Sequence, residues 1–194
     1  GEHTRSWCTT NDVKVEPIVY GGGVDQDHDG SYSDEDREVF KQWMDENVPA
    51  DYTGPVCLDM EGQWWSLLST PSQTVMDHAI DHYIEGLEYA QSLRPNAKIG
   101  YWGLPRKDHT GPNSTTASID RLILACTAIF PDVYEHNPGV NDYARLRRHI
   151  ETCMEMSEGN APVYVQASPR YKQGSQGYRW LHDINEFVND QVRL

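Results

Sequence analysis

The sequence predicts an α/β fold in which a parallel sheet is covered by helices, arranged as a TIM-like (β/α) barrel that is irregular or incomplete. Strand patterns alternate with helical patterns about five times along the 194 residues. The strand segments are hydrophobic on both faces, which is typical of parallel strands buried between helices. The same alternation also fits an open doubly wound sheet, and both architectures stay open at this point.

The strands are predicted from short apolar runs bounded by turn residues. They lie at 13–20, 55–61, 98–104, 128–134 and 162–167. The helices are predicted from apolar residues three and four positions apart. They lie at 34–47, 72–93, 119–126, 140–157 and 178–192. In the longest helix the expected apolar stripe is Val75, Ala79, Ile80, Tyr83, Leu87 and Ala90.

The length of the chain bears on the choice of barrel. A complete eight-unit barrel typically needs ~250 residues, so we expect residues 1–194 to form one domain with an incomplete barrel. A further segment or a second chain is then expected to complete it.

The composition excludes some classes of partner. There are 30 Asp and Glu against 16 Lys and Arg, a formal net charge of −14. That balance argues against nucleic acid, and against a polyanionic substrate unless a local basic patch overrides the field. No apolar run approaches the ~20 residues of a membrane span. The four cysteines are widely spaced without a C-x-x-C pattern, so we expect free thiols rather than a zinc site or disulfides.

An acidic loop at residues 25–36 fits the template of a calcium-binding loop. Acids fall at template positions 1, 3, 5 and 12, and Gly30 stands at the sharp turn at position 6. The expected ligands to a structural Ca²⁺ are Asp25, Asp27, Asp29, Ser31, Ser33 and Asp36. An acidic solvated loop that caps the next helix is the alternative.

Asp59 and Glu61 are the candidate catalytic pair. They stand two apart on a predicted strand, so their side chains share one face at its carboxyl end, where β/α folds place active sites. Two neighbouring carboxyl groups influence each other's protonation, as acid–base cleavage of a glycosidic bond requires. Trp64 and Trp65 follow directly and are expected to stack on a sugar ring.

Four segments, in order, resemble glycoside hydrolase family 56, the hyaluronidases. Residues 58–64, LDMEGQW, are similar to the family's D-W-E-x-W strand, and residues 100–105, GYWGLP, to its next glycine- and aromatic-rich strand. Residues 127–134, TAIFPDVY, and 162–166, PVYVQ, resemble the two strands that follow.

The resemblance implies a distorted barrel and a retaining mechanism that uses the substrate's own acetamido group. Glu61 would be the general acid/base, and Asp59 would orient and stabilise the acetamido nitrogen. Tyr134 would contact substrate, while Trp102, with Tyr101 beside it, matches the tyrosine that holds the acetamido oxygen. The expected partner is a carbohydrate substrate, and the expected location is secreted or periplasmic.

Two other functions remain open from the residues alone. One is a lysozyme-type glycosidase of family 25, which also uses a D-x-E strand. The other is a non-catalytic, calcium-stabilised carbohydrate-binding or scaffold domain. The placement of four side chains separates an enzyme from a scaffold, because a catalytic groove must gather Asp59, Glu61, Trp102 and Tyr134 in one cleft.

Overall fold

Strands and helices alternate along the chain. The structure is a computed structural model that describes residues 2–11, 14–20, 24, 25, 27, 29, 31–110, 114–134, 143–168, 170–172 and 178–181. Within these ranges the strands are β1 (Ile18–Tyr20), β2 (Pro55–Asp59), β3 (Lys98–Tyr101), β4 (Arg170–Lys172) and β5 (Tyr178–Leu181). The helices are α1 (Glu2–Thr10), α2 (Asp34–Asn47), α3 (Gln63–Leu67), α4 (Gln73–Leu93), α5 (Asp120–Ala125) and α6 (Tyr143–Met156).

The first three strands form a parallel sheet in chain order, β1-β2-β3. The segments predicted as strands at 128–134 and 162–167 continue this order through isolated parallel bridges, Trp102 to Phe130, Ile129 to Val163 and Asp132 to Gln166. A doubly wound sheet reverses its strand order at a switch point. The described residues show no such reversal, and their parallel strands and bridged segments form an arc in chain order.

Helix α4 supplies much of the core. Met76, Ile80, Tyr83 and Leu87 are each 0% exposed, and burying a side chain of this size contributes about 1.5–3 kcal/mol. The predicted stripe needs one correction, because Val75 is 38% exposed. Met76 takes its place, because Met76, Ile80, Tyr83 and Leu87 are separated by four, three and four positions and therefore lie on one face of the helix.

Arg94, the C-cap of α4, joins two helix ends. Its guanidinium donates to the carbonyls of Met44 and Val48, both at 2.8 Å, and to that of Leu93 at 2.8 Å. The last carbonyls of a helix have no partner within the helix. A buried cation on α4 therefore satisfies the carboxyl end of α2.

The carboxyl-terminal part differs from the prediction. Tyr178–Leu181, expected to begin a helix, is strand β5, and it pairs antiparallel with β4. Aromatic residues such as Tyr178 and Trp180 favour strands, and pairing with β4 stabilises the strand over the predicted helix. Residues 182–192 of that predicted helix lie outside the described residues.

The predicted state of the cysteines is confirmed. Cys57, Cys126 and Cys153 are buried free thiols, and Cys8 is a partly exposed one. Burial raises the pKa of Cys126 and of Cys153 to about 12, so these thiols are protonated at neutral pH. None of the described helices combines the length and the apolar character needed to cross a membrane.

Candidate active site

Strand β2 brings the two acids to one side of the sheet. Asp59 ends the strand half-buried and Glu61 is exposed, while Met60 between them turns into the core. Met60 is fixed there, because the hydroxyl of Tyr83 donates to its carbonyl at 2.9 Å. The hydroxyl of Tyr32 contacts its sulfur at 3.2 Å. The period-two alternation of the strand thus leaves both carboxyl groups on the opposite face.

The chain turns immediately after Glu61. Gly62 has φ of +148°, a backbone conformation that favours glycine, and α3 begins at the next residue. Gly103, after β3, has φ of +68°, and a side chain there would lie 3.0 Å from the Trp65 ring. Two glycines therefore let α3 and the end of β3 approach each other around the acids.

Two adjoining cavities form a groove over this end of the sheet. One, of about 420 Å³, is lined by Ile18, Tyr20, Asp59, Glu61, Trp102, Tyr134 and Gln166. The other, of about 370 Å³, is lined by Glu61, Trp65, Trp102, Arg106, Lys107, Asp108 and Asp132. Glu61 and Trp102 border both. The four side chains expected to share a cleft in an enzyme do share one, and Glu61 stands at the middle of the groove.

Aromatic rings run along the groove. Trp65 and Trp102 have ring centres 5.9 Å apart with planes 30° apart, and Tyr134 follows 6.0 Å from Trp102. A hydrogen bond from the Trp102 indole to the Tyr134 side chain offsets part of the rise that burial causes in the pKa of Tyr134. Such rings offer the flat apolar surfaces and polar edges on which sugars stack.

The two acids have different environments. Burial, and then the negative charge of Glu61, raise the pKa of Asp59 from 3.8 to about 6. A carboxyl group in this range keeps its proton in mildly acidic solution, which an ordinary aspartate does not. Asp59 is therefore the acid of the pair that we expect to retain a proton in the free protein.

Two residues predicted to contact sugar lie elsewhere. Tyr101 is 1% exposed, and its hydroxyl donates to the carbonyl of Tyr83 at 2.8 Å. It precedes Trp102 on the strand and so points to the helix-covered face. Trp64 stacks on His82 at 4.9 Å; because successive helical residues point about 100° apart, only Trp65 of the pair lines the groove.

The loop after β3 supplies lining residues that the sequence reasoning passed over, Arg106, Lys107 and Asp108. His109 fixes this loop, accepting from the Arg106 N–H at 3.0 Å through Nδ1 and donating through Nε2 to the Leu68 carbonyl at 2.6 Å. Both ring nitrogens are thereby assigned in a neutral imidazole, and burial lowers the pKa of His109. Arg106, Lys107 and Asp108 follow the carboxyl end of β3, and this position in the sequence is the feature that could have predicted them as groove residues.

The acidic loop lies next to this site. The carboxylates of Asp25, Asp27 and Asp29 offer oxygens within 4.8 Å of one another, a spacing compatible with a shared hard cation. The backbone N–H and the hydroxyl of Ser31 both donate to Asp29 Oδ1, at 2.8 and 2.7 Å. Gln63 of α3 donates to the Asp29 carbonyl at 2.7 Å, which ties the loop to the groove.

Two expected ligands have another role. Ser33 is the N-cap of α2: its hydroxyl oxygen accepts from the Asp36 backbone N–H at 3.1 Å, and its own backbone N–H donates to Asp36 Oδ2 at 3.0 Å. This reciprocal arrangement is a capping box. The structure therefore assigns Ser33 and Asp36 to the start of the helix, and the acid cluster of the described residues holds the other three aspartates.

Comparison with known proteins places the fold. No family model matches the chain, and no curated protein matches it. Among solved structures, the chain is similar in fold to a hyaluronidase. A monoclinic crystal structure of bee venom hyaluronidase matches with a TM-score of 0.60 at 15% identity, over 93% of this chain and 75% of that one.

A second crystal structure is bee venom hyaluronidase in complex with a hyaluronic acid tetramer. It matches with a TM-score of 0.54 at 15% identity, over 80% of this chain and 62% of that one. Similarity at this identity establishes a shared fold.

Proposed function

We propose that this protein is a glycoside hydrolase that cleaves a glycan by carboxylate acid–base catalysis. The observation that carries the proposal is the shared cavity of Asp59, Glu61, Trp102 and Tyr134 at the carboxyl end of β2. A scaffold domain has no need to set two acids on one wall of an aromatic groove. The hyaluronidase-like fold adds support, because active sites of β/α barrels are built at this end of the strands.

In the proposed reaction Glu61 gives its proton to the glycosidic oxygen as the bond to the sugar's anomeric carbon breaks. The acetamido oxygen of the same sugar attacks that carbon, and the positive charge passes to the ring formed with the acetamido group. Water then attacks the same carbon and gives a proton to Glu61, which restores the acetamido group and the acid. Asp59 accepts from the acetamido N–H and stabilises the positive charge while the ring exists.

The raised pKa of Asp59 is consistent with a carboxyl group that changes its protonation state when substrate binds. In the free protein burial favours the neutral form of Asp59, with a pKa of about 6. A substrate N–H placed against this carboxyl group stabilises its ionised form. Binding of substrate is then expected to ionise Asp59, which is the form that accepts from the acetamido N–H in the proposed reaction.

The test compares wild type with Glu61→Gln on polysaccharides with and without acetamido groups. We expect release of new reducing ends from N-acetylated glycans by wild type, and a fall of about 10²–10⁴-fold in the variant. Glu88→Gln, an exposed position on α4, is the matched control. Cleavage of no glycan, or equal cleavage by Glu61→Gln, would remove the catalytic assignment.

The anomer formed first, read by NMR, separates the proposal from its alternatives. Retention restricted to N-acetylated substrates supports assistance by the acetamido group. Cleavage that does not need an acetamido group favours a lysozyme-type enzyme. Tight glycan binding without cleavage favours a carbohydrate-binding domain.

We also propose that the acidic loop binds one structural Ca²⁺ through Asp25, Asp27 and Asp29. The convergence of their oxygens supports it, and a cation would relieve the repulsion among them. The backbone carbonyl of Ser31 is the further candidate ligand from the calcium-loop template. For the fold, we propose that the parallel arc is part of an irregular β/α barrel.

A further inference from the structure

Charged side chains crowd the groove. Within the described part of the chain, the charged residues of its two cavities are Asp59, Glu61, Asp108, Asp132, Arg106 and Lys107. Acids therefore outnumber cations two to one beside the proposed reaction centre. Whether the two cations form the local basic patch that an anionic substrate would need depends on what holds them.

The guanidinium of Arg106 is held on several sides. Its Nε lies 3.2 Å from Asp108 Oδ1, and its Nη1 donates to the Trp65 carbonyl at 3.0 Å. Its central carbon lies 5.0 Å above the Trp65 ring. Asp108 is itself fixed by the Ser69 hydroxyl, which donates to its other oxygen at 2.6 Å. Arg106 thus supports the aromatic wall of the groove, and its charge is balanced by Asp108.

Lys107 is held in the same way. Its ammonium lies 2.5 Å from Asp132 Oδ1 and donates to the Tyr134 carbonyl at 3.2 Å. Asp132 borders the cavity too, so an incoming anion would meet the pair rather than a lysine alone. An anionic sugar that bound Lys107 would have to separate it from Asp132 and leave that carboxylate unpaired, which opposes binding of an anion.

We infer that the groove selects a neutral glycan, a polymer of N-acetylhexosamine without carboxylate or sulfate on the sugars next to the cleaved bond. This inference rests on the proposed glycosidase activity. Every cation of the described groove is paired to an acid of the same groove, and Asp59 and Glu61 add carboxyl groups that a uronate would meet. The chain's net charge of −14 repels a polyanion at longer range.

The test compares two oligosaccharides of equal length on the intact protein, one of N-acetylglucosamine alone and one of hyaluronan. The measured quantity is the ratio of their kcat/KM values, at about 20 mM and about 300 mM salt. We expect the neutral oligomer to be favoured at least about tenfold at low salt, and the ratio to narrow at high salt as repulsion is screened. A preference for hyaluronan at low salt would overturn the inference.

Two variants move the ratio in opposite directions. Asp132→Asn releases Lys107 from its partner and is expected to raise relative activity on hyaluronan about fivefold or more. Lys107→Gln leaves Asp132 uncompensated and is expected to lower it. A ratio of two substrates on one preparation does not depend on the folded fraction. Movement in the reverse sense, or no movement in either variant, contradicts the inference.

Binding of the same two oligomers to Glu61→Gln, measured by calorimetry, separates failure of the inference from failure of the proposed function. A neutral preference in binding, with no cleavage by wild type, would reject the glycosidase and retain the neutral ligand. Cleavage by wild type together with tighter binding of hyaluronan would retain the glycosidase and reject the neutral substrate.

Discussion

Replacing Asp59 by asparagine is expected to change how the stability of the protein depends on pH. The pKa of Asp59 rises from 3.8 to about 6 in the folded protein, so the folded state binds this proton more tightly than the unfolded chain does. The free energy of unfolding must therefore fall as the pH rises from about 4 to about 6. Asparagine has nearly the same shape and does not titrate, so this contribution disappears in the variant.

The size follows from the shift. Each pKa unit corresponds to about 1.4 kcal/mol, so a fully buried group with this shift would contribute about 3 kcal/mol. Because Asp59 is only half-buried, solvent screening reduces the expected effect to about 1–2 kcal/mol. Relative to wild type, Asp59→Asn is thus expected to gain about 1–2 kcal/mol between pH 4 and pH 7.

Urea unfolding of both proteins at closely spaced pH values measures the effect. Glu61→Gln is the informative companion, because the charge of Glu61 is the second cause of the shift. It should reduce the pH-dependent loss without abolishing it. Parallel stability curves for wild type and Asp59→Asn would refute the reasoning, since they would mean that Asp59 titrates alike in the folded and unfolded states.

Three further changes test other parts of the structure. Arg94→Met removes the donors to the last carbonyls of α2 and is expected to lower the free energy of unfolding in urea by about 2–4 kcal/mol, with Arg94→Lys losing less; an unchanged midpoint would contradict the cap. Gly103→Ala, at φ of +68° and against the Trp65 ring, is expected to cost about 1–2 kcal/mol and to shift tryptophan fluorescence; an unaltered spectrum would count against that contact. Added Ca²⁺ is expected to raise the Tm of wild type by several degrees and that of Asp27→Asn by much less; equal Tm values with Ca²⁺ and with EDTA would contradict the calcium proposal.

The positions of the acids were predictable because they depend on short-range rules. A strand alternates its side chains, so Asp59 and Glu61 had to share a face once 55–61 was assigned to a buried strand. Trp102 and Tyr134 were implied by the resemblance to glycoside hydrolase family 56, and both lie at the ends of neighbouring strand segments, where β/α folds place active sites. Neither step needed the orientation of a helix.

The misplaced residues depend on details that sequence periodicity does not contain. Trp64 and Trp65 are adjacent, and the start of the five-residue helix α3 decides which ring faces the groove. So short a helix shows no repeat from which its orientation could be read. The sequence pattern around Asp36 is ambiguous, because an acid at this position fits both the end of a calcium loop and a capping box. In the structure Asp36 forms the capping box.

The chain order of the strands in the sheet has a consequence for co-translational folding. Each strand of the described arc bonds to the next strand along the chain, as Ile18 does to Cys57 and Pro55 to Lys98. This order allows each strand of the described arc to pair with the preceding strand soon after it is synthesised. Arg106 and Lys107 follow β3 by only a few residues, so the acids on β2 acquire the neighbouring strand and the two cations of the groove at the same stage.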